Sequence, residues 1–151
     1  MSVGVTVAAD VDLPPDDVAA LRADAETLLT DAGIAGELSI HLCMDAEMRA
    51  LNARFRGKDK ATDVLSFPQD APLLGDVVIS VQTAGEQARE RGHELSVELR
   101  VLLVHGLCHL MGHDHLDRSQ AASMRLAEAR LLGRLLGPTA PAGLVEVGWG
   151  G

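Results

Sequence analysis

Four of the six histidines fall within eleven residues, in His105-Gly-Leu-Cys-His109-Leu-Met-Gly112-His113-Asp114-His115. His105 and His109 are four apart, so on a helix their side chains share one face. That spacing lets a helix present two imidazoles to one zinc ion. Gly112 lets the chain leave the helix, and His115 can then return as a third ligand. Three neutral imidazoles leave the ion its full charge and an open position for water, whose pKa falls to roughly 7 in such sites. The chemistry would be hydrolysis. Any single histidine is more often a core or surface residue than a ligand, but three at this spacing favour a metal. His113 alternates with His115 and is assigned to the rim or to solvent. Asp114 and Asp117 are candidates to orient a ligating imidazole, but Asp117 is read first as the cap of the next helix. Cys108 lies one turn from His105 and is read as a small buried hydrophobe. The protease pattern puts a general-base Glu directly after the first His. Here that position is Gly106, which argues against a metalloprotease of the usual type.

These residues need a scaffold, and periodicity with punctuation outlines one. Val3, Val5 and Val7 alternate as a strand. Pro14 and Pro15 open a helix to about Asp31, ended by Gly33, with Val18, Leu21, Ala25, Leu28 and Leu29 as its buried stripe. Leu38, Ile40 and Leu42 make a second strand. Asp45 is expected to cap a short helix whose apolar face is Met48, Leu51 and Phe55, stopped by Gly57. Val64 to Phe67 is a strand closed by Pro68. Asp76 to Val81, nearly all apolar, is a strand covered on both faces. A polar helix over Thr83 to Arg91 follows. Leu95 to Met111 is apolar nearly all round, hence a central helix, with Gly112 as its terminator. Asp117 with Gln120 resembles a capping box for a last helix to about Leu136. The economical architecture is α+β, with a small mixed sheet of about four strands packed with about five helices. The metal site falls at the C-terminal end of the central helix. Residues 1–137 form one domain and 138–151 a Gly/Pro-rich tail.

The 151 residues carry 47% hydrophobic and 23% charged side chains, which excludes wholesale disorder. Two cysteines, Cys43 and Cys108, cannot build a disulfide framework and suit a reducing compartment. No secretory signal and no membrane span are visible, so a cytoplasmic location with no membrane partner is expected. The net charge of −9 at first argues against nucleic acid. It is unevenly spread: residues 1–45 sum to −8, residues 46–60 to +3, and the remainder to −4. Both lysines lie in the basic segment. Arg54, Arg56, Lys58 and Lys60 alternate, so where the segment is extended they project to one side and suit a phosphate track. A solvated helix end with dipole-compensating cations is the equal alternative. Thr62 or Asp63 can tie this loop to the sheet. Three aromatics, Phe55, Phe67 and Trp149, exclude an extended stacking platform, so binding should rest on phosphates and the ion and weaken as salt rises.

Together three blocks resemble the YbeY family of bacterial rRNA-processing endoribonucleases. They are Leu51-Asn52-x-x-Phe55-Arg56-Gly57-Lys58-Asp59-Lys60-Ala61-Thr62-Asp63-Val64-Leu65-Ser66-Phe67-Pro68, then Leu74-Gly75-Asp76-Val77-Val78-Ile79, then His105-Gly-x-x-His109-x-x-Gly112-x-Asp114-His115. The resemblance implies a single-strand-specific, metal-dependent endoribonuclease. It would act in maturing the 3′ end of small-subunit rRNA and in ribosome quality control. Its partners would be rRNA and the ribosome or ribosomal proteins. It implies one zinc ion on His105, His109 and His115, with Arg56 as the functionally important arginine. Arg56 and His105 are thereby the catalytic candidates, and Arg54, Arg56, Lys58 and Lys60 the substrate-binding ones. Two positions depart from the family pattern: His113 replaces an aromatic and Ala61 a proline. Two other roles remain open: an assembly factor with a structural metal, and a zinc hydrolase of another substrate.

Overall fold

The computed structural model describes residues 2–112 and 118–136. Its elements are β1 (Ser2–Val7), α1 (Pro15–Ala32), β2 (Glu37–Cys43), α2 (Asp45–Arg56), β3 (Val64–Pro68), β4 (Leu73–Ser80), α3 (Val81–Arg91), α4 (Leu95–Leu110) and α5 (Arg118–Leu136). The four strands form one mixed sheet in the order β1-β2-β4-β3. β1, β2 and β4 run parallel, and β3 returns antiparallel beside β4 as the outer strand. This is the α+β arrangement expected. The parallel neighbours are far apart in sequence because a helix must cross between them.

The helix ends follow local rules. Pro15 sits in the first turn of α1, where its missing N–H costs nothing. Gly33, Gly57 and Gly92 end α1, α2 and α3 in the left-handed region. Gly112, just past α4, also has a positive φ of 95°. Two boundaries differ from expectation. β4 begins at Leu73 and ends at Ser80, whose hydroxyl caps α3, so Val81 opens that helix instead of closing the strand. Asp45 does not cap α2: Met44 holds that position, and the Asp45 carboxylate accepts from the hydroxyls of Ser80 and Thr83, both at 2.6 Å. The carboxylate found better donors across the fold than in its own helix. Asp117 lies outside the described residues, as does the 138–151 tail.

One sheet face builds the main core. Leu38, Ile40, Leu42, Val77 and Ile79 share a core there with α1 and α4, and α5 packs on those two helices. α4 is buried from Glu98 to Cys108 except for Arg100, as an all-round apolar helix requires. The other face is covered only in part, by Met48 and Leu51 of α2 against Cys43, Leu65 and Val78. β4 is therefore closed on both sides at Val77 to Ile79. Phe55 was expected on the buried face of α2 but is 53% exposed at that helix's end.

Gly75 carries the tightest backbone approach. Its φ is 152°, and a Cβ there would lie 2.5 Å from the Phe67 carbonyl and 2.8 Å from Leu110 Cδ2. Gly75→Ala is expected to cost about 2 kcal/mol through strain and overpacking. Urea unfolding of wild type and variant would show a lower midpoint at unchanged slope; an equal midpoint contradicts the contact.

Candidate active site

α4 crosses the sheet so closely at Gly106 that a Cβ would meet Val77 Cγ1 at 2.7 Å and Ser66 Oγ at 3.2 Å. No side chain fits there, so a general-base Glu at that position is sterically excluded. The contact also directs the histidines. His105 is completely buried and His109 half-buried, with ring centroids 4.8 Å apart at 78°. The expected pair on one helical face is therefore present. His115, the third expected ligand, lies outside the described residues, as do His113 and Asp114. Among the described residues no group of three or more His, Cys, Asp or Glu side chains is gathered to hold a metal.

Sequence reasoning missed Glu128. It projects from α5, is 1% exposed, and its Oε1 lies 3.1 Å from Nδ1 of His105. Facing a carboxylate oxygen, Nδ1 donates, so a neutral ring keeps its lone pair on Nε2. The signal available was a single Glu in an otherwise amphipathic run. Its spacing from His105 is 23 residues, and only the packing of α5 on α4 brings the two together.

The basic segment does not run extended. Arg54 and Arg56 belong to α2, where residues two apart do not share a face. Lys58 and Lys60 follow in an exposed loop. The alternation therefore does not line up four cations on one side. Arg56 instead donates from Nη2 to the Ser66 carbonyl at 2.7 Å and lies over the Phe67 ring at 5.5 Å. The Ser66 hydroxyl in turn donates to the Gly106 carbonyl at 3.1 Å. Ser66 thus joins Arg56 to the helix turn between the two histidines. Arg54 lies 5.0 Å over Phe55.

The loop is tied down at several points. Asn52 Nδ2 donates to the Lys60 carbonyl at 2.9 Å. Arg49 grips Asp59 through two bonds of 2.7 and 3.0 Å. This contact holds the Asp59 carboxyl below its ordinary value and raises Arg49. Asp63 is buried, caps the Val64 N–H at 2.8 Å and accepts from Gln87 at 3.2 Å. It ties the loop to the sheet as expected. The two histidines outside the cluster face carboxylates: His41 Nε2 is 2.7 Å from Glu47, and His93 Nε2 is 2.7 Å from the buried Glu98.

A groove of about 470 Å³ opens between α2 and the outer sheet face, lined by Phe55, Arg56, Phe67, Gln69, Asp76 and His41 among others. It lies opposite α4 across β3 and β4, because Phe67 and Asp76 pair with side chains on the groove face while Ser66 and Val77 face the helix.

Comparison with known proteins adds a family. The family described as Endoribonuclease YbeY matches residues 16–136. The Endoribonuclease YbeY of Gloeobacter violaceus is 54% identical over 115 residues, covering 69% of this chain and 59% of that protein. The one from Solibacter usitatus is 50% identical over 103 residues and is covered to 66%. The chain thus spans just under two thirds of these relatives. The Pseudomonas putida protein of the same name is 43% identical over 128 residues, with 80% and 81% covered. The solution structure of TM1509 from Thermotoga maritima superposes with a TM-score of 0.67 at 23% identity, over 93% of this chain and 96% of that one. It has the same fold.

Burial pushes the Cys108 thiol up to about 12, and the nearby Glu128 charge adds to the rise while Arg130 opposes it. Burial pushes Cys43 equally, to about 12, helped by Glu47, Asp10 and Asp45. Both stay protonated near neutral pH, where only the thiolate reacts or ligates. Native protein is expected to resist iodoacetamide at both positions and to label fully in guanidinium. Fast native labelling of Cys108, read by mass spectrometry, contradicts its inert role.

Proposed function

The chain belongs to the Endoribonuclease YbeY family, and from that premise we propose that it is a cytoplasmic, zinc-dependent endoribonuclease. It cuts single-stranded RNA in maturing the 3′ end of small-subunit rRNA and in ribosome quality control, working on the ribosome. One observation supports this most: Ser66 couples the guanidinium of Arg56 to α4 at the turn that carries His105 and His109. A charge-binding group and two imidazoles are thereby held by one rigid contact.

His105 and His109 fit a zinc ion by the chemistry of their donors, with His115 as third ligand. Glu128 holds His105 in the tautomer whose Nε2 can coordinate, a known way of raising ligand basicity. Zinc bound there would supply Lewis acidity toward a phosphate oxygen. Arg56 spends one donor on Ser66 and lays its guanidinium over the Phe67 ring, which restrains it. Its exposed remaining N–H groups form a fork for two phosphate oxygens. They stabilise the negative charge that grows on the non-bridging phosphate oxygens as water attacks, its proton passing on to the departing 3′-oxygen. The P–O3′ bond breaks, leaving a 3′-hydroxyl and a 5′-phosphate, with no part played by the 2′-hydroxyl. Arg54, Lys58 and Lys60 hold flanking phosphates, and these contacts weaken with salt.

End-labelled single-stranded RNA and zinc-loaded protein test this. Cleavage should stop on chelation and leave 5′-phosphate ends; 2′,3′-cyclic phosphates would overturn attack by water. Arg56→Ala should slow cleavage about 100-fold while keeping fold and zinc, and cleavage at the wild-type rate removes Arg56 from the mechanism. Glu128→Ala should weaken zinc binding about tenfold or more by competition titration. Unchanged zinc affinity would leave Glu128 with no part in the site.

A further inference from the structure

Asp76 belongs to a block the proposed reaction does not use, and Phe55 is half-exposed on what should be a buried helix face. Both line the groove on the far side of β3 and β4 from α4. We propose that this groove takes one unpaired base of the bound RNA strand. The inference rests on the ribonuclease reading and names a contact that reading lacks.

Aromatic surface is the first reason. The chain has only three aromatic residues, and two of them meet here. The Phe55 and Phe67 rings are 5.4 Å apart and inclined by 64°. Such an edge-to-face pair makes an apolar corner in which one wall can stack a flat ring. A guanidinium lies over each phenyl ring, Arg54 at 5.0 Å and Arg56 at 5.5 Å.

Charge placement is the second reason, and it separates a base from a phosphate. Arg56, the last residue of α2, lines the groove, and Arg54 lies over the Phe55 ring that lines it too. The groove itself holds the Asp76 carboxylate, braced by Gln69 Nε2 at 3.2 Å. A carboxylate repels a phosphate or an acidic peptide but accepts from the N–H edge of a base. An RNA strand satisfies both parts at once, with its backbone on Arg56 and Arg54 and one base turned toward Asp76. The volume of about 470 Å³ lies within the range of small-molecule sites.

Position is the third. β3 is the outer strand of the sheet, so an RNA strand can pass round its edge from the groove to α4. Arg56 stands at that edge, bonded to Ser66. The base in the groove therefore belongs to a nucleotide beside the one cut.

The test measures binding to metal-free, full-length protein by fluorescence anisotropy. The probes are a ten-nucleotide oligo(A) RNA and an abasic strand of equal length. Wild type should bind the base-bearing strand about tenfold more tightly than the abasic one. Phe55→Leu should abolish most of that preference while leaving abasic binding unchanged. Asp76→Asn should shrink the preference from the other side, by strengthening abasic binding. Equal binding of both strands by wild type overturns the base site and leaves the ribonuclease reading standing. A preference that survives Phe55→Leu also overturns it. If neither strand binds, the base site is overturned, while cleavage of single-stranded RNA by the zinc-loaded protein decides the ribonuclease reading separately.

Discussion

At Gly106 α4 lies directly on the β3–β4 pair, where the helix presses on Val77 and receives the Ser66 hydroxyl. Much else depends on it. The helix can lie that low only because residue 106 has no side chain. Its depth fixes how far His105 and His109 stand from the sheet, and it places Ser66 where one residue serves both α4 and Arg56. A glycine that reads as the loss of a protease base is, in the folded chain, what brings the histidine turn and the arginine together.

A buried helix carrying polar groups needs them satisfied at both ends. Near its start, Glu98 is fully buried and faces His93 at 2.7 Å and Arg91 at 3.4 Å. Near its end, His105 faces Glu128. Breaking either buried pair by removing one partner would strand a charge or a ring nitrogen in an apolar setting. The two carboxylates thus set the rotation of α4 from opposite ends, and rotation decides which way the imidazoles look. Rigidity at the site is a packing property before it is a catalytic one.

The charge distribution gains meaning in three dimensions. A net of −9 describes a surface that repels nucleic acid at large. The +3 segment is the exception, and it is not a linear stripe. Arg49 is neutralised by Asp59, Arg56 is anchored to the sheet, and Arg54 lies over an aromatic ring. A few positioned cations beside an acid-floored groove discriminate by geometry more than by field strength.

What could be read from the chain alone was what depends on neighbours a few residues away. Glycine and proline marked the ends of α1, α2 and α3, and apolar spacing marked the strands and the buried character of α4. The i, i+4 spacing of His105 and His109 placed both rings on one face. These are properties of a local backbone with a fixed period. Asp45 and Phe55 marked the limit: each obeyed a local pattern, as a cap and as an apolar stripe, and each was claimed by tertiary partners instead, Ser80 and Thr83 for one and Phe67 for the other. The order of the strands, the Glu128–His105 pair and the Arg56–Ser66–Gly106 link were decided only by folding. Their members lie 10 to 40 residues apart. No period connects such residues, and only the burial of α4 between the sheet and α5 brings them within bonding distance.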